Sequence, residues 1–151
     1  MKQFRTITYS IGILAFLVFL FMQTLFALGY QNVLRLGLDG TPLLLIYLGG
    51  TCIYGISFLL KRFPRFMLYP VKVTPENMLF QATLAKLVLA LLEFFSMVLF
   101  FCLQYGCYQK LTAQESAMII RVFIFLLTGC IVLTLGIYLL IARRAKKKEN
   151  E

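Results

Sequence analysis

The chain has 151 residues, 61% of them hydrophobic and only 14% charged, with a mean hydropathy of +0.87. A soluble domain of this length cannot bury so much apolar surface in one core, so the composition places the chain in a membrane. The formal charge of +9 is not a nucleic-acid footprint, because the basic residues flank apolar runs and form no soluble basic domain.

A hydrocarbon layer about 30 Å thick takes roughly 20 apolar residues of helix to cross, and four segments meet that requirement. The first runs from about Thr8 to Gly29 behind Lys2 and Arg5. With the small-residue stretch "ALG" at 27–29 it has the outline of a secretory signal, but its apolar run exceeds the roughly 7–15 residues of such a segment, so a retained anchor is expected. Gln23 and Thr24 are expected to be polar glue between helices. The loop "YQNVLRLGLDGTP" follows. The second span, about Leu43 to Leu60, carries Gly49, Gly50, Thr51 and Gly55, a small-residue face suited to close helix approach. Packing within the bundle is favoured there over a dimer seam.

Between the second and third spans lies the loop 61–84, with the sequence "FPRFMLYPVKVTPENMLFQATLA" at 63–85. Pro64 and Pro70 bar helix, and the mixture of Phe63, Phe66, Met67, Leu68 and Tyr69 with Lys61, Arg62, Arg65 and Lys72 suits the headgroup layer. Thr74 is a good N-cap, Pro75 fits the first helical position, and Glu76 complements the helix dipole. A long third helix is therefore expected from Pro75 to Tyr105, its first ten or so residues lying at or below the cytoplasmic surface. Asn77 and Gln81, one turn apart, are expected to hydrogen-bond back to 69–73. The hypothesis for this segment is a collar that seats the loop in the headgroups and offers a surface to a cytoplasmic partner.

This stretch resembles the signature of small bacterial four-helix membrane proteins that carry the SdpI-type domain of unknown function. The matching positions are Phe63, Pro64, Tyr69, Pro70, Val71, Val73, Thr74, Glu76, Asn77, Gln81, Leu84 and Ala85, and the order of spans and loops matches as well. The chain departs from the pattern in its outer loop. It has no histidine where relatives carry a His-Phe-Asn-like element, and keeps only Leu38, Asp39, Gly40 and Pro42 as a trace. Met78, Leu79 and Phe80 stand where relatives begin a charged helix. The resemblance implies toxin immunity or membrane signalling, with a membrane-active peptide or a cytoplasmic regulator as partner.

The third span, about Ala85 to Tyr105, contains Glu93, an ionisable residue at a depth where it costs at least about 2.5 kcal/mol. At 100° per residue Lys86, Glu93, Ser96 and Gln104 fall within about 80° of one another and form a polar stripe that should face the bundle. Counting from the membrane edges brings Tyr54 and Thr134 to the depth of Glu93 as hydrogen-bond partners, with no basic residue beside them, so a neutral carboxyl is expected. The bland reading of Glu93, interhelical hydrogen bonding, is favoured over a proton- or cation-linked site in a small transporter or a transport-complex accessory subunit. Oligomerisation would be one way to supply a second titrating group.

The fourth span runs from about Val122 to Ala142 and ends in "RRAKKKENE", read as a stop-transfer flank that also touches anionic headgroups of the bilayer. Cys52, Cys102, Cys107 and Cys130 are scattered and are expected to pack rather than ligate metal or form redox pairs. With no Trp among 15 Phe and 8 Tyr, an interfacial belt must draw on Tyr9, Tyr30, Tyr69, Tyr105 and Tyr108. With both termini in the cytoplasm, 12 of the 15 basic residues fall on that side, leaving Arg35, Lys110 and Arg121 outside, as the positive-inside rule requires. The expected fold is all-α: one integral membrane domain over 1–151, a bundle of four transmembrane helices in the bacterial cell membrane. No nucleophile with a base partner and no glycine-rich phosphate loop is visible, so the expectation is a non-enzymatic protein with no cofactor and no nucleic-acid partner.

Overall fold

The computed structural model describes residues 2–63, 75, 78–112 and 118–149, and among these it is all-helical. Four helices follow in order: α1 (Lys2–Arg35), α2 (Thr41–Arg62), α3 (Met78–Leu111) and α4 (Met118–Glu149). Each contains a stretch long and apolar enough to cross a bilayer. This is the architecture of a multi-pass integral membrane protein. Each helix overruns the expected span at both ends, because helix continues through the polar flanks that composition assigns to the membrane edge.

The α1–α2 connection is short and closely specified. Gly37 adopts φ +70, where a Cβ would be strained. Its N–H donates to the Leu34 carbonyl at 3.0 Å and that of Leu38 to Val33 at 3.1 Å, a Schellman end to α1. Asp39 Oδ1 then accepts from the Thr41 N–H at 2.9 Å and the Thr41 hydroxyl at 2.6 Å. These bonds hold the Asp39 carboxyl below its ordinary range. Pro42 opens α2, where its missing N–H is not needed. Gly40 lies so close to the Tyr30 ring that a Cβ would sit 2.6 Å from it.

Ring stacking fixes the register of α1 and α2. Phe19 lies on Tyr54 at 4.2 Å and Phe26 on Tyr47 at 4.0 Å, while Gly12 faces the Lys61 ammonium. As the α1 number rises the α2 number falls, so the two run antiparallel. Gln23 accepts from the Tyr47 hydroxyl at 2.7 Å, bearing out its reading as polar glue, whereas the Thr24 hydroxyl turns back to its own Leu20 carbonyl.

The central helix is α3, which packs against all three others. Phe100 sits on Gly49 and Gly50, and Met22 meets Gly50 from α1. Tyr108 covers Gly29 and accepts from Asn32 Nδ2 at 3.3 Å. Gly49 and Gly50 thus pack within the bundle, while Gly55 has open space. The core is thin: Ala15, Met22 and Val33 of α1, Leu43 of α2, and Ala85, Val88, Ala90 and Met97 of α3. That suits a bundle whose outer faces meet lipid as apolar as its interior. On α4 the less exposed residues recur at Ile120, Ile124, Leu127, Ile131, Thr134 and Tyr138, a single seam of alternating three- and four-residue steps.

Pro75 lies in a turn, and the described part of α3 begins at Met78. Pro75 is therefore not the first helical residue. Pro64, Tyr69, Pro70 and Thr74, with the rest of 64–74, and Glu76 and Asn77 lie outside the described residues.

Candidate functional site

The described polar chemistry of the membrane interior centres on Glu93. It is 2% exposed, and its partner is Lys61, which forms an ion pair with Glu93 Oε2. This corrects the expectation that no basic residue reaches its depth. The physical reason is reach. Lys61 lies on the last turn of α2, but helical side chains lean toward the helix N-terminus. In α2 that direction leads back along the helix into the bundle, and in antiparallel α3 it leads toward the end at which α2 finishes. The two side chains therefore converge from different levels, and the lysine stem spans what remains.

The surroundings are made of small residues. Ser57 stands one heptad from Gly50 on α2, and Glu93 one heptad from Phe100 on α3, which brings Ser57 to the level of the carboxylate; it is 8% exposed. Ala15, one heptad before Met22, is fully buried. A Cβ on Gly12 would lie 3.9 Å from Lys61 Nζ. Three helices thus leave room for a charged pair at their junction, where bulky residues would exclude it.

Tyr54 and Thr134 do not join this site. The Tyr54 ring is stacked on Phe19, and the Thr134 hydroxyl donates to the Cys130 carbonyl of its own helix at 2.7 Å. Ser96 is half-buried and Lys86 exposed. Lys86 lies two turns from Glu93 on the same side of α3, beyond the point where α2 has ended, so the polar stripe does not face the bundle along its whole length.

Gln104 is fully buried between Phe100 and Tyr108, on the face that α3 turns toward α1 and α2. Neither of its amide atoms has a hydrogen-bond partner. Gln81 is likewise fully buried without a partner. The segment 69–73, to which it was expected to bond, lies outside the described residues.

No protein-family model, characterised protein or solved structure matches the chain.

Among the described residues no group of His, Cys, Asp or Glu is placed to hold a metal ion. Cys102 and Cys107 are half-buried, whereas Cys52 and Cys130 are exposed on outer faces, and all four thiols are free. Of the tyrosines read as an interfacial belt, Tyr9 is 74% and Tyr105 39% exposed, while Tyr30 and Tyr108 are partly covered; Tyr69 lies outside the described residues. Sequence reasoning found Glu93 and missed Lys61 as its partner. The available signal was the antiparallel connection of the two spans, together with the inward lean of a lysine on the last turn of α2.

Proposed function

We propose that the chain is a non-enzymatic protein of the bacterial cell membrane, of the SdpI-like type, acting in toxin immunity or membrane signalling with both termini in the cytoplasm. The observation that carries this reading is the Lys61 ammonium on Glu93: the intramembrane carboxylate is engaged in joining α2 to α3 rather than left free to carry a proton or cation. The segment resembling the SdpI-type signature begins two residues after that lysine. A membrane-active peptide or a cytoplasmic regulator would act on this end of the bundle. Lipid headgroups are met by the basic flanks on the same side.

The second reading, a small proton- or cation-linked transporter or accessory subunit using Glu93, draws on the burial of that carboxylate at a three-helix junction. Two assays separate the readings. Cells producing the chain are challenged with the membrane-active peptide secreted by the producing strain, and purified protein in vesicles loaded with a pH-sensitive dye is given an imposed proton gradient. Protection that survives Glu93→Gln but not deletion of 63–85, with no proton flux, supports immunity. A flux abolished by Glu93→Gln in folded protein overturns it. The orientation is tested by cysteines at Asn32, Ala113 and Asn150 in a background without native cysteines. The first two should label with an impermeant reagent added to intact cells, and labelling of Asn150→Cys would contradict cytoplasmic termini.

A further inference from the structure

The Lys61 ammonium is a common reference point for two helices. It pairs with Glu93 of α3, and a Cβ on Gly12 of α1 would lie 3.9 Å from it. α1 and α3 run parallel, since Met22 and Phe100 meet at Gly50 while Gly29 lies under Tyr108. One heptad, about 10 Å of helix rise, therefore leads from both contacts in the same direction and keeps the same faces. On α1 it arrives at Arg5, and on α3 at Lys86.

α2 ends at Arg62, whereas α1 extends to Lys2 and α3 to Met78 in that direction. Arg5 and Lys86 thus stand on a step that two helices form past the end of the third, and both are exposed, as is Arg62. Among the described side chains the one acid at this end is Glu93, already joined to Lys61. α1 adds the positive end of its dipole, with no acidic residue in its first turn. The step therefore carries surplus positive charge at the edge of the apolar layer, Lys86 being the second residue of the span expected at Ala85–Tyr105. Packed helices lie about 8–10 Å apart, so both long side chains can reach one group set between them. A phosphate suits them, because the arginine fork takes two oxygens and the lysine adds a point charge. A zwitterionic headgroup would bring its own ammonium to a place where no described carboxylate is free to meet it, whereas an anionic headgroup brings none.

We propose that Arg5 and Lys86 hold the phosphate of one anionic phospholipid on this step. The lipid is a resident of a defined place between α1 and α3, beyond the general attraction of the basic flanks for headgroups. Arg62 strengthens the local field without being needed as a ligand, and Lys61 stays with Glu93. The site does not depend on the immunity reading, since it follows from where the helices end and which charges they carry.

The test is native mass spectrometry of the full chain released from micelles into which phosphatidylglycerol and phosphatidylcholine of distinct mass are titrated together. The parent should retain one phosphatidylglycerol in preference to phosphatidylcholine. Arg5→Gln with Lys86→Gln should weaken that retention about 30-fold, and each single change about fivefold. Arg35→Gln with Lys110→Gln removes the same charge from two exposed positions at the opposite end and should leave retention unchanged. Equal losses in the two double variants would mean general charge attraction and overturn the site, as would equal retention of the two lipids by the parent. Inorganic phosphate, added without lipid, separates the sources of the anion: an adduct that forms then and disappears in the Arg5, Lys86 double variant overturns the lipid assignment. Near-ultraviolet dichroism of the stacked rings checks that each variant is folded, and should the double variant fail that check, the two single changes against Arg35→Gln decide the matter.

Discussion

The unequal burial of the two partners predicts unequal costs of removing them. Lys61→Met leaves a carboxylate that is 2% exposed with no cation, and breaking a buried pair in this way costs about 3–5 kcal/mol. Glu93→Gln leaves the lysine, whose side chain is 31% exposed and can extend to the headgroups. The amide still offers it an oxygen, so the loss should stay near one hydrogen bond, about 1 kcal/mol. Replacing both with apolar residues of similar volume, Lys61→Met with Glu93→Leu, removes the uncompensated charge and should bring stability back to within about 1–2 kcal/mol of the parent. The assay is reversible unfolding in mixed micelles by added anionic detergent, followed by ring-packing signals in near-ultraviolet dichroism, with all variants at one protein-to-detergent ratio. Coupling shows as a double variant more stable than the sum of the single losses. Equal costs for the two single changes would refute the burial argument, and strict additivity would refute the pair.

Three further outcomes follow from other parts of the fold. Gln104→Leu should raise stability by about 1–3 kcal/mol, because it removes two buried polar groups that have no partner; a loss in the same detergent titration would show that the amide is satisfied. Gly50→Ala should cost about 1–3 kcal/mol, since its Cβ would meet Met22 at 3.0 Å and Phe100 at 3.2 Å. Gly55→Ala, with open space around it, should gain up to about 1 kcal/mol from helix propensity, and equal effects at the two sites would contradict the packing. Thr41 lends two hydrogen bonds to Asp39, whose carboxyl is held below its ordinary value of 3.8. A group with a lowered folded value contributes fully above the unfolded value and loses the contribution as pH falls through the folded one. Amide exchange at Thr41 should therefore stay slow down to that ordinary value and quicken only below it, and in Asp39→Asn it should lose this pH dependence.

The four helices were legible because crossing a bilayer demands length and hydropathy that few soluble segments have. Their ends were less so. The sequence between the first two spans carries its turn chemistry openly in Gly37, Asp39, Gly40 and Pro42, and the structure uses each of them there. Pro75 follows a good capping residue in Thr74, yet it lies in a turn ahead of the described helix. Glu93 stood out because a carboxylate inside a span is expensive. Its partner was hidden because depth was counted along helix axes, which places Lys61 at the membrane edge and ignores both the lean of its side chain and the length of its stem. Tyr54 has the matching depth but is stacked on Phe19. Gln104 read as part of a polar stripe, and the stripe does not supply it with a partner.

The central claim is that an intramembrane ion pair joins the end of α2 to the middle of α3, and it can be measured as a distance. Solid-state nuclear magnetic resonance on uniformly 13C,15N-labelled protein in lipid bilayers reports the dipolar coupling between Lys61 Nζ and Glu93 Cδ, with Glu93→Gln used to assign the carboxylate signal. Dephasing that corresponds to a contact pair, nitrogen and carboxylate oxygen within about 4 Å, is the expected result. A Lys61 ammonium with no coupling to Glu93, resolved instead against lipid 31P, would contradict it.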